Sequence, residues 1–260
     1  MTLGQYYPGT SPVHRLDPRS KLVACLTLMT CLLLTSKAGR MCVVAGVCSL
    51  AVCNSSIPVG VFTRNLRPFA WLFLITFCIH GLTTDGEVLL SLPFVTVAIT
   101  KEGLFNAGLY TVRLLLLIIL AAWLTLTTTP IELTDGLERL LLPLKRFKLP
   151  VHEFVLMVTL SLRFLPILIQ EAERIKNAQL SRGASLEGTL MHKVRNIVPM
   201  VVPLFLSAIR RADELALAME ARHYVGGDGR TSFGHLRLTK VDCGVLLFSF
   251  GFLVFMVLWA

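Results

Sequence analysis

The chain has 260 residues, 54% of them hydrophobic and only 16% charged, with a mean hydropathy of +0.70. A soluble domain is about 45–50% apolar and about 25% charged, so this balance is that of a membrane protein and excludes disorder, a collagenous repeat and a disulfide scaffold. The net charge of +9 lies beside apolar runs, which points to membrane orientation and anionic lipids rather than nucleic acid.

The N-terminus, with Pro8, Pro12, Asp17 and Pro18, lacks the shape of a signal peptide. Spans of about 20 apolar residues cross a bilayer, and on that criterion about five are expected. They cover about Leu22–Ser36, Met41–Phe62, Pro68–Leu82, Tyr110–Thr129 and Val241–Ala260. Asp17 and Pro18 suit an N-cap and first-turn proline for the first, and Trp71 suits an interfacial anchor of the third. The apolar stretch Val88 to Ile99 reads as a short membrane-dipping or packed segment. Arg15, Arg19 and Lys21, then Arg64 and Arg67, then the long basic region after the fourth span place the N-terminus in the cytoplasm. Asp85, Glu87, Lys101 and Glu102 then lie outside, and Lys37 and Arg40 dissent from the pattern. Starting the fourth helix near Arg113 moves that charge from mid-bilayer to the outer interface, avoiding about 2.5–3.5 kcal/mol of insertion cost. The seven cysteines lie mostly in apolar runs without CxxC spacing and read as small buried hydrophobes.

Between Pro130 and Lys240 apolar residues recur at helical spacing among charges. This divides the chain into a membrane region at 1–129, a cytoplasmic region at 130–240 and a final span at 241–260. A short amphipathic helix over about Ile131 to Phe147 is expected along the membrane interface, and Lys145, Arg146 and Lys148 suit an anionic-lipid contact. Next comes a long helix with Val155, Val158, Leu162, Leu165 and Ile169 on one face, ending near Ser181 to Gly183. Within it, Glu171 with Arg174 and Glu173 with Lys176 are spaced for i,i+3 pairs. A second long helix, from about Thr189 to about Tyr224, contains Pro199 and Pro203, where a bend is expected. Its Ala208, Ala212 and Ala216 form a ladder of small side chains where two helices could cross.

Both long helices end alike, in Ser181-Arg182-Gly183-Ala184 and Ala221-Arg222-His223-Tyr224. A small residue before an arginine at a helix C-terminus presents one guanidinium with little steric cover. The dipole favours it there, and its planar fork can grip a partner's carboxylate or carbonyl. For one such site, an arginine that caps its own helix is the simpler reading; two matched tips weaken it.

These tips carry a resemblance, together with the opening Gly4-Gln5-Tyr6-Tyr7-Pro8-Gly9, Ser11-Pro12, His14-Arg15-Leu16-Asp17-Pro18-Arg19 and Lys21, and the stretch Gly226-Gly227-Asp228-Gly229-Arg230-Thr231. Over nearly its whole length the chain resembles the transmembrane T component of energy-coupling factor (ECF) transporters, the EcfT family of bacterial vitamin and micronutrient importers. The resemblance implies an all-α integral membrane protein of about five spans, with two long crossing cytoplasmic coupling helices and a short amphipathic helix. It implies a non-catalytic subunit in the bacterial cell membrane that passes motion from two ABC-type ATPases (A and A′) to a substrate-binding S component. Arg182 and Arg222 would dock into the ATPases, with Ser181, Gly183, Ala221 and His223 completing the two motifs. Ser181 replaces the family's usual alanine and His223 its usual glycine, which blurs the end of the second helix. ATP and Mg would be bound by the partners, consistent with the absence from this chain of a P-loop or a GxGxxG loop.

The remaining polar residues suggest no chemistry. The six histidines are scattered without a ligand cluster, and Ser161 and Ser207 lack a nucleophile elbow. The 126–129 segment suits helix-end satisfaction. Phe154, Met157, Phe164 and Phe205 suit core packing, or else a platform for a partner membrane subunit. Two other classes stay open at this point: a membrane enzyme acting on lipid or polyprenyl substrates, which would need an acidic cluster, and a permease forming the solute path, which would need ionisable residues within its spans.

Overall fold

The computed structural model describes residues 6–9, 11–35, 37–84, 87–91, 98–141, 143, 150–183, 190–224, 226 and 239–259. The chain divides into two units, residues 1–137 with 236–260, and residues 138–235. Among the described residues it is helical apart from one short hairpin, and four helices are long and apolar enough to cross a membrane.

In the first unit, α1 (Pro18–Leu34) starts at Asp17, whose carboxylate accepts the Arg19 N–H at 3.0 Å. Helix α2 (Ala38–Cys53) follows, and α3 (Val59–Leu66) continues through a 3₁₀ turn (Arg67–Phe69) into α4 (Ala70–Thr83). The span expected over Met41–Phe62 is therefore broken. Ser56 takes the left-handed conformation at φ 54°, and Pro58, at the N-cap of α3, cannot donate to a continuing helix. What remains of that span are α2 and the start of a longer helical stretch from Val59 to Thr83.

The Val88–Ile99 stretch, expected to dip into the membrane or pack as one segment, contains antiparallel strands β1 (Val88–Ser91) and β2 (Ala98–Thr100). Helix α5 (Lys101–Thr127) then begins well before Arg113, with Thr100 as its N-cap. The close approach of α4 and α5 requires Gly103: a Cβ there would lie 2.6 Å from Thr100 Oγ1 and 3.0 Å from the Gly81 carbonyl.

Helices α1 and α5 run antiparallel, in a register fixed by polar contacts. Lys21 Nζ donates to the Thr127 carbonyl at 3.0 Å, Cys25 Sγ donates to the Leu120 carbonyl at 3.6 Å, and Arg113 donates to the Thr35 carbonyl. Arg113 thus reaches the level of the α1 terminus from inside a long helix, not by standing at that helix's start. It binds a C-cap carbonyl that has no helical partner, and its guanidinium lies 5.0 Å from the Tyr110 ring centre. Around this pair the core is built from Leu28, Leu32, Val44, Leu116, Leu120, Trp123 and Met256. Cys25, Cys31 and Cys48 are buried as expected, but Cys42, Cys53, Cys78 and Cys243 are exposed on the outer faces of their helices.

The last helix, α9 (Lys240–Leu258), is tied to the N-terminal segment by Asp242. This carboxylate is fully buried. Its Oδ1 accepts the Asp17 N–H and the Ser20 hydroxyl, both at 2.8 Å; its Oδ2 accepts the Thr239 N–H at 2.8 Å and the Thr239 hydroxyl at 2.6 Å. The Thr239 pair is a capping box that starts α9, while the other two bonds join segments 225 and 222 residues apart. Lys21 completes the clasp by donating to the His14 carbonyl at 3.1 Å.

Candidate functional site

Helix α6 (Pro130–Leu141) opens with a reciprocal cap between Thr129 and Glu132, which accounts for the threonines at its entrance. Its expected end at Phe147, with Lys145, Arg146 and Lys148, lies outside the described residues. The two long helices of the second unit are α7 (Val151–Ser181) and α8 (Leu190–Ala221). The apolar first part of α7 makes it long and apolar enough to cross a membrane, while Glu171, Glu173, Arg174 and Lys176 make its second part polar.

Two contacts fix how α7 and α8 pack. Glu171 Oε2 lies 3.5 Å from Arg211 Nη2 and 4.0 Å from Arg174 Nη1. His152 Nε2 lies 3.3 Å from the Tyr224 hydroxyl. As position falls along α7 it rises along α8, so the helices run antiparallel. Between the contacts lies a groove of about 650 Å³ lined by Leu160, Phe164 and Leu168 of α7 and by Ala208, Ala212 and Ala216 of α8. Ala208 is half-buried, and Ala212 and Ala216 are exposed along this groove. The carboxylate of Glu171, expected to pair only within its helix, reaches across to Arg211 as well.

The two tips share one backbone geometry. Ser181 and Ala221 are the last helical residues, Arg182 and Arg222 follow, and Gly183 and His223 then take left-handed conformations at φ 86° and 56°. The Gly183 N–H donates to the Leu180 carbonyl at 3.0 Å and the His223 N–H to the Glu220 carbonyl at 2.8 Å. At the second tip the Tyr224 N–H also reaches the Met219 carbonyl at 3.0 Å, completing a Schellman motif. The histidine therefore occupies the glycine's conformational slot, and the second helix ends in register with the first. All six residues are exposed. Neither guanidinium makes a hydrogen bond or ion pair among the described residues, so neither arginine caps its own helix through its side chain. Ala184 and Gly227 to Thr231 lie outside the described residues.

Arg182 lies eleven residues beyond Glu171, and Arg222 eleven residues beyond Arg211. At about 1.5 Å per residue each tip stands ~16 Å from the central pair. Because the helices are antiparallel, the tips extend in opposite directions along them. Large apolar side chains are left open on the same helices: Phe154 is 55%, Met157 60% and Phe205 63% exposed, against the expectation of core packing. Phe164 is half-buried beside the groove. Sequence reading missed Arg211 as the partner of Glu171, and it missed the His152 and Tyr224 contact, because neither pair has a local spacing signal.

Comparison with known proteins identifies the family. Residues 9–233 match the family model CbiQ, described as cobalt transport protein. Three proteins named energy-coupling factor transporter transmembrane protein EcfT are similar along nearly the whole chain. That of Acidaminococcus fermentans is 42% identical over 100% of this chain and 97% of its own length. That of Heliobacterium modesticaldum is 45% identical over the same shares, and that of Bacillus subtilis is 43% identical over 95% of this chain and 93% of its own. With an all-α membrane fold and full-length similarity at this level, the chain belongs to the EcfT family of energy-coupling factor transporter transmembrane proteins.

Proposed function

We propose that this chain is the coupling subunit of an ECF-type importer, passing ATP-driven motion from two ABC-type ATPases (A and A′) to a separate S component that binds the vitamin or micronutrient. The observation that supports this reading is the pair of exposed arginines, Arg182 and Arg222, without a partner among the described residues and set in one C-cap geometry at equal distances from the Glu171–Arg211 pair. A guanidinium held at a helix end in this way is ready to enter a complementary groove. ATP and Mg are bound by the partner subunits, and this chain supplies no catalytic group. It sits in the bacterial cell membrane with its N-terminus in the cytoplasm, where the exposed Arg15 meets anionic lipid. ATP binding draws the two ATPases together and favours one angle between α7 and α8, as a population shift driven by differential contacts.

Arg182→Glu combined with Arg222→Glu tests the reading. Each desolvated tip contributes roughly 2–5 kcal/mol of docking where it meets a buried charge, so the double variant is expected in the membrane but without ATPases after affinity purification. Undiminished copurification together with undiminished ATPase activity of the complex would refute tip docking.

A further inference from the structure

Around the second tip, three side chains from three parts of the second unit form a chain of hydrogen bonds. His152 Nδ1, at the start of α7, lies 2.9 Å from Oε1 of Glu138 on α6. Its Nε2 lies 3.3 Å from the hydroxyl of Tyr224, the second residue after Arg222. An ionised carboxylate only accepts, so Nδ1 carries the proton and donates to Glu138. Its Nε2 shares the remaining hydrogen bond with the Tyr224 hydroxyl, which can donate or accept. The His152 and Glu138 side chains are 21% and 27% exposed, so water reaches only part of the pair.

Tyr224 is thereby held twice: its backbone N–H closes the Schellman motif on Met219, and its hydroxyl is tied to the far end of the neighbouring helix. Arg222 lies between these anchors. Among the described residues the first tip has nothing equivalent. The only side-chain hydrogen bond there among the described residues runs from the Ser181 hydroxyl to the Asn177 carbonyl of its own helix, at 3.0 Å. Two tips matched in backbone geometry are thus unequal in how they are braced.

We propose that Glu138, His152 and Tyr224 are positioning residues that brace the Arg222 tip against α6 and α7 while the Arg182 tip stays free to swing. The two ATPase docking points are then one fixed and one mobile. This rests on the reading of the arginines as docking points.

Two measurements separate the brace from that reading. The first is amide hydrogen exchange on the full-length chain in lipid nanodiscs. Deleting one neutral hydrogen bond changes a local equilibrium about three- to tenfold. Tyr224→Phe and His152→Phe are therefore each expected to speed exchange at His223 and Tyr224 by that factor and to leave Arg182 and Gly183 unchanged. Glu138→Gln, which keeps an oxygen to accept from Nδ1, is expected to keep exchange slow, within about twofold of the parent. Unchanged exchange at the second tip, or equal acceleration at both tips, would overturn the brace.

The second measurement is the affinity of the purified chain for its two copurifying ATPases. Tyr224→Phe should weaken it about three- to tenfold in the parent and in Arg182→Ala, and not at all in Arg222→Ala. An equal loss in all three backgrounds would show that Tyr224 does not act through Arg222. An Arg222→Ala variant that keeps full affinity would refute docking at this tip, and the exchange result would still decide whether the brace exists.

Discussion

Replacing Asp242 by asparagine probes the clasp that joins the two ends of the membrane unit. Asp242 is fully buried and accepts four hydrogen bonds, two on each oxygen. An asparagine keeps one oxygen and turns the other into an NH₂ group, so one pair of donors must face a donor whichever way the amide is turned. If Oδ1 is lost, the stranded groups are the Asp17 N–H and the Ser20 hydroxyl; if Oδ2 is lost, they are the Thr239 N–H and hydroxyl. A hydroxyl can rotate toward another acceptor, and for Ser20 Oγ the Asp17 carbonyl lies at 2.7 Å, but a backbone N–H cannot. One buried unsatisfied N–H costs about 1–3 kcal/mol, and the remaining bonds lose charge assistance, which roughly halves their strength. The sum is about 3 kcal/mol, and by the scaling for chains of this size it lowers Tm by roughly 6–12 °C. The assay is thermal unfolding in detergent micelles read by a thiol-reactive dye, in a background where the exposed Cys42, Cys53, Cys78 and Cys243 are replaced by alanine, since Cys25, Cys31 and Cys48 are buried and react only once the core opens. Thr239→Ala removes only the local cap and serves as a control, at about 1 kcal/mol. An Asp242→Asn shift no larger than that control would mean that the bonds to Asp17 and Ser20 carry no stability, and the clasp argument would fail.

At the second tip, His223→Gly relieves a left-handed non-glycine residue at φ 56° and is expected to gain up to about 1 kcal/mol of local stability. His223→Val is expected to lose more than that, both read by exchange protection at Arg222 and His223. A double-mutant cycle on Glu171→Gln and Arg211→Gln is expected to give a coupling of only about 0.5–1 kcal/mol, falling with salt, because the side chains are 23% and 36% exposed. A coupling above about 2 kcal/mol that is insensitive to salt would mean a desolvated pair and a rigid junction.

What could be read from the sequence follows the range of the interactions involved. The tips were legible because helix ends are set by neighbouring residues: a small residue, an arginine and then a left-handed position. The break at Ser56 to Pro58 was missed because Asn54-Ser55-Ser56-Ile57 carries no charge, so the apolar average ran through a turn that only Pro58 announces. Arg113 was misplaced for a related reason. Its cost was weighed against lipid, whereas the fold sets it against the Thr35 carbonyl, 78 residues earlier. The clasp at Asp242 and the Glu138, His152 and Tyr224 chain join segments far apart in sequence. The only local trace was a lone carboxylate at the head of an apolar helix, which by itself asks for a partner.

On the coupling reading, the weakness of the Glu171–Arg211 contact is what a lever requires. A desolvated, multiply bonded junction would hold α7 and α8 at one angle, and energy delivered at the tips would go into breaking it. A partly exposed pair, at 23% and 36%, gives up its contact to water at little cost, so it can open as the helices change angle. With each arginine ~16 Å from the pair, a change of about 10° in crossing angle moves a tip by roughly 3 Å. That is enough to follow a groove on a moving partner without unwinding either C-cap. Bracing one end then adds direction: with Tyr224 tied to His152, the start of α7 and the end of α8 move together. The rotation is expressed at the free ends, at the Arg182 tip and along the exposed apolar stretch around Phe205, where a membrane partner would feel it.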